Sequence, residues 1–436
     1  MIYGLDDDIK GKSLWVYVLQ HLAFIVAGIT IMPIAAGAQL GLSQAETAEM
    51  LQRSFFVLGI MSFLQVKFGH KYPILDGPAG LWTGMFLISA SMAVEAGRPL
   101  AVLRAELELS IMAAGVVLML IVSLGLLKWI LKLFTPLVNG VIITTMVLQM
   151  SITFVRGVVG LDAEGRVTGS SPLICLITIA VILFVTVYMR GFVQSIATLI
   201  GVIVGWLFAA VLGIWVVPSA PENIFSLPAL LPWGTPILNP GVMASCVIGE
   251  ILLMSMTLTS VNSMSGAVKE TADEKTLGRS LLLQGLGTVL SGIFPIVPPM
   301  PYISSTGVVL MTGVASRKPF MIAVILIAVF GLLTPISVSI ASMPPLVAYS
   351  TTIVIFALIF GQGLREFKKC ELDNRESYVV GISMIIGIGT MFLPSTALSA
   401  LPQSIRLLLS NGLVVGTVLS MILEKTLAIK PREKQS

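Results

Sequence analysis

A chain of 436 residues that is 56% hydrophobic, only 11% charged and of mean hydropathy +0.98 is not a large soluble enzyme. Soluble domains carry about 25% charged residues. The net charge of +4 lies in loops between apolar runs, so nucleic acid is not an expected partner. Cys175, Cys246 and Cys370 have neither pairing nor metal spacing, and no HExxH, phosphate-loop or nucleophile-elbow motif is present. Neither an enzyme nor a cofactor is predicted.

Apolar runs long enough to cross a bilayer, roughly 20 residues each, recur along the whole length. The first follows a charged head (Asp6, Asp7, Asp8, Lys10, Lys12) without a small-residue cleavage site, so it reads as a span and not a signal peptide. In chain order the predicted spans lie near 14–36, 46–66, 73–93, 106–127, 135–155, 172–189, 192–214, 239–264, 278–294, 299–314, 319–340, 344–361, 377–394 and 405–426. With the N-terminus inside, these fourteen spans place 20 of the 26 Lys and Arg residues on the cytoplasmic side. Arg53, Arg98, Arg104, Arg156, Arg166 and Arg406 are left outside. That positive-inside bias predicts a multi-pass protein of the cell membrane, in contact with lipid and with both termini cytoplasmic.

The third and tenth spans are short and broken by proline. "YPIL" (Tyr72 to Leu75) recurs as "FPIV" (Phe294 to Val297), and "TPLVNG" (Thr135 to Gly140) as "PPLVAY" (Pro344 to Tyr349). The two matches occur in the same order, at offsets of 222 and 209 residues. Two seven-span halves must be inverted relative to each other, and inverted repeats with one broken span per half are a signature of secondary transporters. "YPIL" is β-like before its breaker, and "GPAGLWTGMFLI" can start a half-helix with Pro78 in its first turn. Its counterpart "PPMPYISSTGVVLMTG" (Pro298 to Gly313) has an extended lead and a half-helix opening at Ser304 and Ser305. Two half-helix N-termini would then face each other near the midplane and offer N–H groups and partial positive charge to a polar ligand.

At these residues the chain resembles the nucleobase–ascorbate transporter family, the nucleobase:cation symporters. "QHLAFIVAGITIMP" (Gln20 to Pro33) resembles that family's first-span Gln-His motif; "FTPLVNG" and "GLGTVLSGIF" resemble its fifth and ninth spans, and "LLSNGLVVG" (Leu408 to Gly416) its last. "SSTGVVLMTGVASR" (Ser304 to Arg317) lies on the tenth-span signature. The resemblance implies an all-α polytopic fold of 14 transmembrane segments in a 7+7 inverted repeat, with short strands in spans 3 and 10. It implies core-domain segments at 1–134 and 238–342 and gate-domain segments at 135–237 and 343–436. It also implies symport of a nucleobase with a proton or sodium ion; a purine such as xanthine is favoured over uracil, and a homodimer is left open. The chain departs from the signature at Ser304, Ser305 and Thr306, where the family usually has an acid or amide, then Asn. A binding Glu usual in the eighth span falls near Ser255, so the site is rebuilt with hydroxyls.

The candidate substrate-binding residues are therefore Gln20, Asp76, Gly77, Ser255, Thr259, Ser304, Ser305 and Thr306, with Trp82 or Tyr302 as rings on which a base could stack. Asp76 and Glu250 read as the only acids well inside spans, and His21 as the only deep histidine. A charge at the bilayer centre costs roughly 2.5–3.5 kcal/mol on insertion scales, so these three are the coupling-ion candidates. Each has a bland alternative: His21 as a packing residue, Asp76 as a helix cap, Glu250 as a structural partner. Two rival functions on the same fold are an uncoupled facilitator and a transporter of a small anion.

Overall fold

The computed structural model describes residues 1–127, 129, 132–159, 171–218, 220–221, 223–393, 397, 401, 409 and 411–427. The candidate loop residues Lys128, Arg166, Arg406, Lys430, Arg432 and Lys434, and the start of the last predicted span, lie outside them.

The described elements are helices α1 (Gly11–Gln39) and α2 (Gln44–Phe68), strand β1 (Asp76–Pro78), α3 (Gly80–Glu95), α4 (Leu100–Ser123), α5 (Pro136–Val159), α6 (Ser171–Tyr188), α7 (Phe192–Ser195) and α8 (Ala197–Val211). After an extended stretch come α9 (Pro240–Ala267), α10 (Glu274–Ile293), strand β2 (Pro299–Pro301), α11 (Ser304–Thr312), α12 (Arg317–Phe330), α13 (Thr334–Ala341), α14 (Pro345–Phe367), α15 (Asn374–Met391) and α16 (Gly412–Thr426). Among the described residues, α1, α4, α5, α9 and α14 are long and apolar enough to cross a membrane.

Local chemistry sets the boundaries. Ser43 and Glu46 form a capping box at the start of α2. Asn239 caps α9 just before Pro240, and Asp273 and Asp373 cap α10 and α15. The predicted span 319–340 is not continuous: it breaks at Gly331, where a side chain would meet the backbone of α2 (2.4 Å to Phe56 N). The predicted span 192–214 likewise opens with the single turn α7 before α8 begins.

The two broken spans meet. β1 and β2 pair antiparallel in the register Asp76↔Pro301, Gly77↔Met300 and Pro78↔Pro299, and all six residues are buried. Each strand leads into a half-helix, α3 or α11. Around this crossing α1, α2, α4, α9, α10 and α12 pack as one group, while α5 packs against α14, α15 and α16 as another. Small residues permit the closest approaches. A Cβ at Gly115 of α4 would lie 2.5 Å from the Gly285 carbonyl of α10, and one at Gly363 of α14 would lie 2.8 Å from Thr144 of α5.

Candidate functional site

Neither half-helix has a side-chain cap: the N-cap residues are Ala79 and Ile303. At α11 the chain tightens into a turn, with the N–H groups of Ser305 and Thr306 donating to the Tyr302 and Ile303 carbonyls (3.1 and 3.0 Å). At α3 the Ala79 N–H donates to Pro298 O (2.9 Å), and the N–H groups of Gly80, Leu81 and Trp82 follow in the first turn, where a helix supplies no acceptor. The glycines of α3 turn toward the second helix group. A Cβ on Gly80 would touch Ile359 and Phe356 of α14, and one on Gly84 would touch Met150 and Met146 of α5. Phe356 meets Phe154 of α5 edge to face, with centroids 4.6 Å apart. The uncapped start of α3 therefore lies beside an apolar, aromatic seam between the two groups.

The sequence candidates fall into four places. Gly77 lies under the Tyr302 ring, 2.5 Å from the position a Cβ would take, and the Tyr302 hydroxyl donates to Pro78 O (2.8 Å) and Gly28 O (3.3 Å). Ser305 is buried and accepts from the Leu75 N–H (3.1 Å), tying α11 to the lead of β1. Thr306 is buried with its hydroxyl unpartnered among the described residues, and Ser304 is exposed. The Asp76 N–H donates to Ser62 Oγ (3.0 Å), and its carboxylate faces His70 Nε2 at 3.8 Å.

Ser255 and Thr259 line a second place, a recess between α9, α5 and α14 shared with Asn139, Gln362 and Glu366. Asn139 Nδ2 donates to Ser255 Oγ (2.9 Å), bridging the two helix groups. Glu250 is in a third. Its carboxylate is fully buried and accepts from Trp82 Nε1 (3.0 Å), Gln284 Nε2 (3.1 Å) and Thr288 Oγ1 (3.0 Å). Gln20 and His21 are buried on α1, with the His21 ring edge-on to Phe320 at 5.4 Å.

Several readings need correction. Trp82 and Tyr302 are not free faces for stacking: Trp82 is wholly buried with its N–H on Glu250, and the Tyr302 ring fills the space above Gly77. His21 is not the only deep histidine, because His70 is also fully buried. Nor are Asp76 and Glu250 the only enclosed acids. Glu106 accepts from Arg98 and Asn239, and Glu108 accepts from the Trp233 N–H. Arg53, expected at an outer end, is 2% exposed beside Glu49. Polar residues isolated in apolar runs were the available signal for Asn139, Gln362 and Glu106; His70 carried none except its nearness to Asp76 in a proline-bounded turn.

A helical protein with long apolar helices and a buried crossing of two strand-led half-helices belongs to the class of multi-pass membrane transport proteins. The chain is a member of the Permease family designated Xan_ur_permease, which it matches over residues 12–396. It is similar to the "Putative purine permease YwdJ" of Bacillus subtilis (strain 168), with 31% identity covering 92% of each chain. The uric acid transporter UacT of Escherichia coli (strain K12) is 25% identical, over 96% of this chain and 87% of that one. Among solved structures, the transmembrane domain of a cyanobacterium bicarbonate transporter, BicA, aligns with TM-score 0.58 and 16% identity over 97% of this chain and 99% of that one. The murine anion transporter Slc26a9 in an inward-facing state aligns with TM-score 0.64 and 12% identity, over 96% and 69%. These two likenesses concern the fold alone.

Proposed function

We propose that this protein takes up an oxopurine nucleobase, such as xanthine or uric acid, across the cytoplasmic membrane by proton symport with alternating access. The observation that carries the reading is the uncapped start of α3 against the apolar seam of Phe356, Ile359, Met146 and Met150. A flat oxopurine needs an apolar slot with a few fixed donors for its carbonyl oxygens, and this junction supplies both. Relatives named for purine, uric acid and xanthine permeation support the substrate class.

In this reading fourteen spans form a 7+7 inverted repeat, with both termini cytoplasmic. Segments 1–134 and 238–342 form the core, and 135–237 and 343–436 the gate. Sliding of the gate along the α3–α14 and α9–α5 seams exposes the site alternately to the two sides. Gly77, Ser304, Ser305, Thr306 and Gln20 form the core wall of the binding region, and Ser255 and Thr259 its far end at the gate. Of the coupling candidates Asp76, Glu250 and His21, we place the proton at Asp76. Glu250 is held by three donors, and His21 is packed against Phe320.

The test is uptake of radiolabelled xanthine and uric acid in cells lacking their own permeases. Saturable uptake, competed by other oxopurines and abolished by collapsing the pH gradient, is the expected result. A helix N-terminus also suits a small anion, so bicarbonate is the competitor that separates the second reading. Transport of bicarbonate with no uptake of any base would replace the nucleobase assignment.

A further inference from the structure

Between the end of α2 and β1 the chain folds back on itself. The N–H groups of Gly69 and Lys71 both donate to Gln65 O (3.0 and 3.1 Å), and Lys71 takes a left-handed φ of +66°. This turn carries His70 inside, where it is fully buried, as is Asp76 at 1% exposure. His70 Nδ1 accepts the Tyr72 N–H at 3.0 Å, so a neutral imidazole carries its hydrogen on Nε2. That nitrogen faces Asp76 Oδ2 at 3.8 Å, and neither atom has a hydrogen-bond partner among the described residues.

The surroundings are neutral. From α2, Ser62 takes the Asp76 N–H and Gln65 donates to Ser280 O of α10. From α11, Ser305 takes the Leu75 N–H. From α1, the His21 ring lies against Phe320. On the turn itself the Tyr72 ring stacks on His70 at 6.3 Å, and Glu270 is exposed. The Lys71 side chain is exposed, and Arg317 donates to Lys71 O while pairing with Asp6. Among the described residues, His70 is the ionisable side chain that faces the Asp76 carboxylate.

Because Nδ1 is taken by the Tyr72 N–H, the pair is uncharged when its exchangeable proton sits on the Asp76 carboxyl. Without that proton, a buried carboxylate stands beside a neutral imidazole with no counter-charge, an arrangement a dry interior penalises heavily. With a second proton, a buried imidazolium stands beside a neutral acid. A sealed interior therefore favours the protonated Asp76 carboxyl, and access of water to the pair favours its release.

We propose that His70 and Asp76 together form the proton-binding site of this transporter: the transported proton rides on the Asp76 carboxyl, and the Nε2–H of neutral His70 faces the carboxylate left when it departs. The proposal deepens the symport reading and rests on it. Its link to the substrate is mechanical: Asp76 is four residues before the head of α3, and its neighbour Leu75 is bonded to Ser305 at the head of α11. Movement of either half-helix is thus transmitted to the pair.

The test uses the full chain in proteoliposomes loaded with a pH-sensitive dye. The parent is expected to accumulate xanthine when an acid-outside gradient is imposed, with proton entry. His70→Gln is expected to keep base-for-base exchange but to lose at least tenfold of the gradient-driven accumulation and the accompanying proton flux; Asp76→Asn loses that accumulation too. A second measurement first reads the tautomer with both members of the pair in place. The chain has 2 histidines, so His21→Phe labelled with 15N-histidine reports His70 alone. Its imidazole signals are expected to show Nδ1 unprotonated and Nε2 protonated at neutral pH, and to shift when Asp76→Asn is added. Accumulation and proton flux in His70→Gln equal to the parent would overturn the proposal. So would an Nδ1-protonated tautomer, signals insensitive to Asp76→Asn, or accumulation driven by sodium and not by pH. If the parent moves no base at all, the transport reading fails, and the nitrogen signals still decide whether the pair holds the proton.

Discussion

Replacing Glu250 separates a structural carboxylate from a coupling one. Its carboxylate accepts from Trp82, Gln284 and Thr288 in a fully buried network, and Thr257 donates to Gln284 behind it. In Glu250→Ala the Trp82 N–H and the Gln284 amide lose their acceptor, and each buried orphan costs about 1–3 kcal/mol. The Thr288 hydroxyl can turn to its own helix, but the truncated side chain also leaves a void. Two orphaned donors at that cost, with the void, give a loss of about 3–6 kcal/mol. Glu250→Gln keeps the shape and one acceptor oxygen but turns an NH2 toward a donor, so it should lose about 1–3 kcal/mol. The assay compares folded protein recovered from the membrane by size exclusion with gradient-driven uptake and base exchange, each normalised to that recovery. Protein and both activities should fall together, alanine further than glutamine. Full recovery of Glu250→Gln with intact exchange and no gradient-driven uptake would refute the structural role and return the proton to Glu250.

Three further outcomes follow from named contacts. Gly77→Ala places a methyl 2.5 Å from the tethered Tyr302 ring and should lose about 1–3 kcal/mol, measured by thermal unfolding in detergent. Adding Tyr302→Ala should then cost less than it does in the parent, and strict additivity would exclude the clash. Ser304→Leu and Ser305→Leu should both abolish xanthine uptake, but only Ser305→Ala should destabilise the protein, by about 1–3 kcal/mol, because it strands the buried Leu75 N–H; equal stabilities of Ser304→Ala and Ser305→Ala would contradict this. The N-terminal segment clasps the loop after α11: Ala315 N donates to Tyr3 O, Arg317 N to Leu5 O, and Asp8 pairs with Lys318. Hydrogen bonds from Lys318 and Lys10 hold the Asp8 carboxyl below its ordinary range. A lowered folded-state value means the contact is present above the ordinary carboxylate range and lost as pH falls through that lowered value. The protection of the Ala315 and Arg317 amides, taken relative to the intrinsic exchange rate at each pH, should therefore be high at neutral pH and fall in acid. Deleting residues 1–9 should remove the protection at neutral pH, and unchanged exchange would show that the clasp does not form.

The strand crossing was legible because proline and glycine cannot hide. Asp76–Pro78 follows directly on "YPIL", and Pro299–Pro301 lies one residue beyond "FPIV", so the echoed tetrapeptides mark the two strands that pair. The second echo, at Thr135 and Pro344, marks the starts of α5 and α14, which pack against each other. Both signals are local, written in residues whose backbone preferences hold in any surroundings. What stayed hidden depends on partners distant in the chain. Nothing near Trp82 says that its N–H will meet a carboxylate 168 residues away, and nothing near Tyr302 says that Gly28 and Gly77 will leave room for its ring. His70 shows the limit most clearly. Its neighbours Lys67 and Lys71 are charged, so hydropathy places it in a cytoplasmic loop, yet a left-handed residue at Lys71 folds it inward against Asp76. Depth inferred from apolar windows measures distance along the chain from charge, whereas burial is set by the direction in which a turn points its side chains. The same reasoning explains Glu106 and Glu108: the window puts them at a helix end, and packing against Asn239 and Trp233 encloses them there.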